Sequence, residues 1–156
     1  TKYISSEMGA NIKLLPRANT QAELRAKFNQ VDFGVFPSHA EGWNLEPLEL
    51  MACGVPSIVT NYSGHTEYCN ASNSLLVEPN GMSPANDDRW FHGQGEWCTF
   101  DTKELVKQMR LAHKMKQKIV TGGKSKKYEK LSAESLKTAK AFSWENTACK
   151  IKEALS

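Results

Sequence analysis

Short apolar runs alternate with longer amphipathic segments along the first half of the chain. Near-continuous apolar runs of this kind are typical of parallel strands that are buried on both faces, and the segments between them are long enough for helical crossovers. We therefore predict an α/β fold in which a Rossmann-like parallel sheet is flanked by helices. The predicted strands are Asn11–Leu15, Asp32–Phe36, Val55–Thr60 and Ser74–Val77.

Capping residues and helical periodicity predict the helices between and after these strands. Thr20 is the predicted N-cap of a helix that ends near Gln30, with Glu23 completing a capping box. A second helix is predicted from about Leu45 to Cys53, where Gly54 stops it. A short helical turn is expected at residues 65–68, and longer helices at residues 102–118, 131–141 and from 144 onward.

The pattern fails between Pro79 and Phe100, a segment dense in turn residues and aromatics, for which we predict an irregular insert at about residues 80–100. Its large aromatics, Trp90, Phe91 and Trp97, either line a ligand cleft or pin the segment onto the sheet. We favour pinning, because aromatic side chains in an ordered loop usually bury themselves for the area alone.

Length and charge bound the function. A chain of 156 residues is one domain's worth and is shorter than a usual two-domain enzyme, so we expect a piece of a longer protein. No signal peptide or membrane anchor is visible, and the expected compartment is cytoplasmic. The net charge of +3 is mild. The lysines between residues 114 and 130 indicate a solvated helix face, and we expect no nucleic-acid partner.

The four cysteines show no spacing suited to a metal or a redox pair, so we predict reduced and mostly buried thiols, with Cys53 and Cys149 in the core. The adjacent carboxylates Asp87 and Asp88 lack a third ligand, and no metal site is expected. His39 and His65 are predicted to be hydrogen-bonding loop residues rather than catalytic bases.

The segment Pro37–Glu49 joins the second predicted strand to the second helix and carries the candidate chemistry. Glu41 and Glu49 stand eight positions apart around this turn. Gly42 removes a Cβ where a ligand would approach the backbone, and Pro47 fits a first helical turn. Free helix amides would face an anion, and the two carboxylates would accept from sugar hydroxyls on either side of it. The pattern predicts a nucleotide-sugar site.

The same residues resemble the E-x7-E signature of the retaining GT-B glycosyltransferases called group 1 or family 4. The resemblance covers about half of the chain and includes the segment 52–60, the segment 63–67 and the segment 74–79. Ser63 stands where that family commonly has the first glycine of Gly-Gly-x-x-Glu. The signature positions that match are Ser38, Glu41, Gly42, Leu45, Pro47, Leu48 and Glu49.

The resemblance implies that residues 1–142 form the carboxyl-terminal, nucleotide-sugar-binding domain, truncated at its N-terminal edge, and that residues 143–156 form a crossover helix. The acceptor would be held by a missing N-terminal domain. Transfer would be retaining and would use no metal or other cofactor. By resemblance, Glu41 contacts the transferred sugar as the catalytic residue, and Glu49 binds the ribose. The other donor-binding positions implied are Gly42, Trp43, Asn44 and Leu45 at the sugar and diphosphate, and Leu15 and Arg17 near the base.

Two alternatives stay open. The chain could be a non-catalytic module that binds a nucleotide-sugar or a protein, since fold alone does not give function. It could also belong to a sugar-nucleotide epimerase or a sugar-phosphate synthase. We further expect the isolated chain to be inactive, because the acceptor site and the phosphate clamp lie outside it. The apolar stripe of the last helix is expected to pack on its own sheet or to self-associate. That stripe comprises Trp144, Ala148, Ile151 and Leu155.

Overall fold

The computed structural model describes residues 12–156. This part of the chain contains five helices, five strands and one 3₁₀ turn. In chain order they are α1 (Gln21–Phe28), β1 (Gly34–Phe36), α2 (Leu45–Ala52), β2 (Ser57–Thr60), the 3₁₀ turn (Ser63–Glu67), β3 (Ser74–Val77), β4 (Pro79–Asn86), β5 (His92–Phe100), α3 (Thr102–Val120), α4 (Lys126–Ala141) and α5 (Trp144–Ala154).

The central sheet is parallel, in the order β1-β2-β3, as the apolar runs predict. Ile58 and Val59 are consecutive in β2 and therefore point to opposite faces of the sheet. Ile58 packs in a cluster with residues of α3 and α4, whereas Val59 packs with Met51 of α2. Both faces are thus covered by helices, which explains why these strands are apolar throughout and confirms the predicted α/β class.

The first predicted strand is wrong as far as the structure describes it. Asn11, its first residue, lies outside the described residues, and Ile12 to Leu15 have no regular structure. The side chains of Leu14 and Leu15 are 66% and 55% exposed. An apolar run becomes a buried strand only where a neighbouring strand pairs with it, and β1, the nearest strand, pairs with β2 alone within residues 12–156.

The predicted irregular insert is a β-hairpin. β4 and β5 pair in antiparallel fashion along their length, with irregularities in register beside Pro79 and Pro84. At the tip, one oxygen of Asp87 accepts hydrogen bonds from the amides of Arg89, Trp90 and Phe91 at 3.0, 2.7 and 2.9 Å. Most hairpin residues are exposed on both faces, so the sequence lacks the apolar alternation by which a half-buried strand is recognised.

The aromatics of the hairpin do not behave alike. Trp97 is half-buried and stacks on His39, with ring centres 5.4 Å apart, as expected of a side chain that pins the segment to the domain. Trp90 is 70% exposed and Phe91 48% exposed, so pinning is wrong for these two.

The terminal helix α5 has no buried residue. Trp144 and Leu155 are 87% and 83% exposed, so the expectation that the stripe packs on its own sheet is wrong. Self-association through this stripe stays a prediction. Cys149 of the same helix is exposed, which corrects its predicted place in the core, and Cys53 is only half-buried. Among the helices of residues 12–156, none combines the length and apolarity needed to cross a bilayer.

Candidate functional site

Two loops meet at the carboxyl ends of the parallel strands, where ligands of open α/β sheets usually bind. The first, which we call the Glu41 loop, comprises residues 37–44 and leads from β1 into α2. The second, the support loop, comprises residues 61–68, follows β2 and contains the 3₁₀ turn. The Gly64 amide donates to the carbonyl oxygen of Glu41 at 3.1 Å, and the Glu41 amide donates to Oγ of Ser63 at 2.8 Å. The support loop thus forms hydrogen bonds with both the amide and the carbonyl group of Glu41.

Backbone contact between glycines brings the loops together. A Cβ on Gly64 would lie 2.6 Å from the carbonyl oxygen of Gly42 and 2.8 Å from Cα of Trp43. A side chain at position 64 is therefore excluded by backbone atoms, which cannot rotate away. A Cβ on Gly42 would meet nothing within 4 Å. The two glycines have different uses: Gly64 permits loop packing, and Gly42 leaves open space beside Glu41.

Two residues of these loops adopt the left-handed backbone region that favours glycine. Ser63 has φ +51° and Asn44 has φ +64°. Such positions cost on the order of 1 kcal/mol each and persist only where the surroundings fix them. Ser63 replaces a glycine that the resemblance leads one to expect. Its hydroxyl bond to Glu41 gives a reason for a serine at a position where its backbone is strained.

The Glu41 carboxylate is half-buried and oriented by its own loop. The Ser38 hydroxyl donates to Oε1 at 2.6 Å, and the Asn44 amide nitrogen lies 3.4 Å from the same oxygen. Both contacts converge on Oε1. The second oxygen, Oε2, has no donor among the hydrogen bonds of residues 12–156, so it is the atom available to a ligand.

His65 is buried, with 1% of its surface exposed, and contacts the same Asn44 amide as Glu41. Its Nδ1 lies 3.0 Å from the Thr60 carbonyl oxygen, to which it donates, and its Nε2 lies 2.9 Å from the Asn44 amide nitrogen. The second contact requires Nε2 to accept, so the ring is neutral. Burial lowers the pKa of His65, against the opposing effects of the Thr60 carbonyl and the Glu41 charge. His65 is therefore a hydrogen-bonding residue, as the sequence predicts, and its contact with Asn44, which the sequence does not predict, orients that side chain.

We predict a stability loss on acidification that depends on His65. The free histidine pKa is about 6.5, and the folded value is lower, so below that pH the unfolded chain binds a proton that the folded chain does not. The unfolding free energy should then fall by up to about 1.4 kcal/mol per pH unit as the pH drops from about 6.5 toward the folded pKa. Urea unfolding between pH 7.5 and 5.5 measures this slope.

The matched variants for this test are His65→Gln and His113→Gln, since His113 lies exposed on α3. The slope should decrease in His65→Gln whatever the change in absolute stability, and it should persist in His113→Gln. An undiminished slope in His65→Gln would assign the pH dependence to another group.

Tyr68 closes the support loop against the backbone that precedes α2. Its hydroxyl lies 3.0 Å from the Trp43 carbonyl oxygen and 2.5 Å from that of Asn44. Burial raises the pKa of Tyr68, so the hydroxyl stays protonated as the donor that these carbonyls need. Sequence reasoning missed this residue, because nothing in the pattern near Tyr68 indicates a contact with backbone 25 residues away.

The N-terminus of α2 is left uncapped by its own N-cap residue. Asn44 occupies that position but makes no side-chain cap bond, because its amide is directed to His65 and Glu41 instead. The first amides of a helix have no intrahelical partner, and together with the helix dipole they attract an anion. The Glu41 carboxylate and the free amides at the start of α2 therefore lie at the same end of the sheet.

A cleft of about 580 Å³ lies between the segment before α1 and the helix α2. Arg17 and Glu49, two of the predicted donor-binding residues, both line it together with Glu46. Burial raises the pKa of Glu49, and the nearby charge of Glu46 adds to this. The Lys27 ammonium donates to the Pro16 carbonyl oxygen and ties the segment to α1. Leu15, which is predicted to lie near the base, is exposed and does not line the cleft.

The other predicted donor-binding residues divide between two surfaces. Trp43 and Leu45 line a second cleft of about 470 Å³, which also borders Glu49 and extends to α5. The remaining three, Glu41, Gly42 and Asn44, lie in the Glu41 loop and line neither cleft. The structure thus groups the predicted residues around the start of α2, with Glu49 shared by the two clefts and Glu41 in neither of them.

No cluster of three or more His, Cys, Asp or Glu side chains suited to a metal ion occurs within the described residues.

Comparison with known proteins gives one family. Residues 2–86, more than half of the chain, match the family described as "Glycosyl transferases group 1". The match includes β1, α2, β2 and both loops of the site. A search of curated proteins found no match.

Proposed function

The chain belongs to the group 1 glycosyl transferases, and we propose that it binds the nucleotide-sugar donor for retaining, metal-independent transfer of a glycosyl group. We propose further that the acceptor is held by a separate N-terminal domain, so that the isolated chain does not turn over. The observation that carries the proposal is the convergence of the Glu41 carboxylate and the uncapped amides of α2 at one end of the sheet.

The diphosphate of the donor would lie at the start of α2. Asn44 leaves the first amides of that helix without a side-chain cap, and Gly42, two residues earlier in the loop, presents open space. An anion there is stabilised by amides and by the helix dipole without a metal ion. The same amides would stabilise the nucleoside diphosphate as it departs, when its negative charge increases.

The nucleoside would occupy the cleft shared by Arg17 and Glu49. Glu49 projects from the second turn of α2 and is half-buried, so its carboxylate can accept charge-assisted bonds from the two ribose hydroxyls. Arg17 and the neighbouring backbone form the opposite wall, where the base would lie. The transferred sugar would then extend past Gly42 toward Oε2 of Glu41.

We predict that Glu49→Ala weakens nucleotide binding. Loss of two charge-assisted hydrogen bonds to ribose should cost about 1 to 2 kcal/mol, a fall of roughly 5- to 30-fold in affinity. Calorimetry of the intact enzyme with UDP, GDP and ADP measures the change. Because the missing bonds are to ribose, the loss should be similar for whichever of these nucleotides bind.

The control is Glu129→Ala, which removes an exposed carboxylate of α4 that does not line this cleft. Unchanged affinity in Glu49→Ala would overturn the ribose assignment. Absence of binding by all three nucleotides in the unmodified enzyme would overturn the proposed function itself.

A further inference from the structure

A cleft that the proposed donor site does not use lies between the hairpin and the Glu41 loop. Its volume is about 380 Å³. It begins at His39 and Ala40, so it reaches the residue next to Glu41 in the chain. It shares no lining residue with the cleft of Glu49. The residues that define it are His39, Ala40, Phe91, Gln94, Glu96 and Trp97.

The hairpin is fixed to the Glu41 loop by hydrogen bonds at a single pair of residues. The Cys98 amide donates to the His39 carbonyl oxygen at 3.1 Å, and Nδ1 of His39 lies 2.7 Å from the Cys98 carbonyl oxygen. The His39 ring also lies against Trp97 and Phe100, with ring centres 5.4 and 5.5 Å apart. The cleft is therefore formed before any ligand arrives, which reduces the ordering cost of binding.

The tip of the hairpin holds an aromatic ring at the rim of this cleft. Asp87 fixes the turn through three backbone amides, including that of Phe91. The Phe91 ring packs edge-on to Trp97, with centres 6.0 Å apart, and still has 48% of its surface exposed. A large apolar side chain that is half exposed and held in place by its own turn offers a surface for a ligand.

The polar groups of the cleft select the kind of ligand. Glu96 supplies a carboxylate, and Gln94 supplies an amide whose oxygen already accepts from the His92 amide at 2.5 Å, which leaves its NH₂ group as a donor. No Lys or Arg lines the cleft, so a phosphate or carboxylate ligand is disfavoured by charge. An aromatic wall with one acceptor and one donor suits a neutral ring that has an apolar face and hydroxyl edges.

We propose that this cleft binds one pyranose ring of the acceptor substrate, while the rest of the acceptor is held by the separate N-terminal domain. The inference rests on the proposed function, because the cleft is assigned to the acceptor on the ground that it adjoins the proposed catalytic residue Glu41. The donor nucleoside lies on the Glu49 side of the Glu41 loop, and the acceptor sugar lies on the hairpin side, where its hydroxyl can approach the anomeric carbon next to Glu41. The apolar face of the ring packs on Phe91, and its hydroxyls bond to Gln94 and Glu96.

The test uses methyl glycosides of glucose, mannose, galactose and N-acetylglucosamine as probes, with binding followed by ligand-observed NMR. At least one should bind the unmodified protein. Phe91→Ala should weaken that glycoside by about five- to tenfold, the effect expected for loss of an aromatic contact. The matched control is Trp90→Ala, which removes a more exposed aromatic from the same tip but does not line the cleft, and which should bind normally.

Three results would overturn the proposal: no glycoside binds, Trp90→Ala loses as much affinity as Phe91→Ala, or a bound nucleotide-sugar displaces the glycoside. Displacement would place the glycoside in the donor-sugar position instead. If the near-UV spectrum shows that Phe91→Ala disturbs the packing of Trp97, Phe91→Leu decides, since it keeps apolar bulk and removes only the ring.

Nucleoside diphosphate binding is measured on the same samples. It should be equal in the unmodified protein and in all of these variants, because the nucleoside cleft shares no residue with the hairpin cleft. If nucleotide still binds and no glycoside does, the assignment of this cleft to the acceptor is wrong, and the proposed function is unaffected. Loss of nucleotide binding in the unmodified protein would instead count against the proposed function.

Discussion

Glu41→Gln is expected to lower kcat of the intact enzyme by about 100-fold or more, the usual scale for removing one preorganised electrostatic group from an active site. Glutamine retains the shape of the side chain. Its carbonyl oxygen can still accept from Ser38 and from Asn44, as Oε1 does now. What it removes is the negative charge beside a sugar that becomes positively charged as the leaving group departs.

We expect Glu41→Gln to reduce kcat much more than nucleotide affinity. Glu41 lines neither cleft that borders Glu49, so nucleoside diphosphate affinity should change by less than about threefold. Steady-state kinetics with saturating donor, combined with calorimetry, separates the two quantities. The control is Glu129→Gln, an exposed carboxylate of α4, which should leave both unchanged. Equal losses in turnover and in nucleotide affinity would show that Glu41 is a structural residue.

The local patterns of the sequence predict much of the fold, because they are set by neighbours in the chain. β3 begins and ends at the predicted residues, since its apolar run is bounded on both sides by polar ones. Thr20 caps α1 through the Glu23 amide as predicted, although the Glu23 carboxylate accepts from Asn19 rather than from Thr20. Gly54 follows α2 with φ +72°, the conformation that ends helices.

Local sequence patterns do not predict the β4–β5 hairpin. Its strands expose both faces and contain Pro79, Pro84 and three glycines, so neither apolar alternation nor strand propensity indicates them. Hydrogen bonds between the two strands, and the three hydrogen bonds that Asp87 accepts from backbone amides, supply the stability that burial supplies elsewhere. This difference explains why an insert predicted to be irregular is ordered.

The candidate site divides in the same way. Glu41, Gly42 and Glu49 could be selected from sequence because they stand at fixed offsets around one turn. The groups that orient them could not, since Ser63 and Tyr68 act across 22 to 25 residues. His65 was identified only as a loop hydrogen-bonder. Its role in turning the Asn44 side chain away from the helix amides depends on a contact that no spacing rule predicts.

Gly64→Ala is expected to destabilise the chain and to disorganise the Glu41 loop. The added methyl would lie 2.6 Å from the Gly42 carbonyl oxygen and 2.8 Å from the Gly42 carbonyl carbon. Both are backbone atoms, so relief requires the loops to separate, which would also break the bond from the Gly64 amide to the Glu41 carbonyl oxygen. Overpacking of this kind costs about 1 to 3 kcal/mol.

Gly42→Ala is the matched control, because it adds the same methyl group on the other side of the same contact, where nothing lies within 4 Å. Urea unfolding at constant m should show a lower midpoint for Gly64→Ala and an unchanged midpoint for Gly42→Ala. Nucleotide-sugar binding should behave differently. Gly64→Ala should weaken it because the loop has moved, and Gly42→Ala because its methyl occupies the space that the donor needs beside the helix amides. A Gly64→Ala midpoint equal to that of the unmodified chain would show that the loops are not locked by this contact, and normal donor binding in Gly42→Ala would place the diphosphate elsewhere.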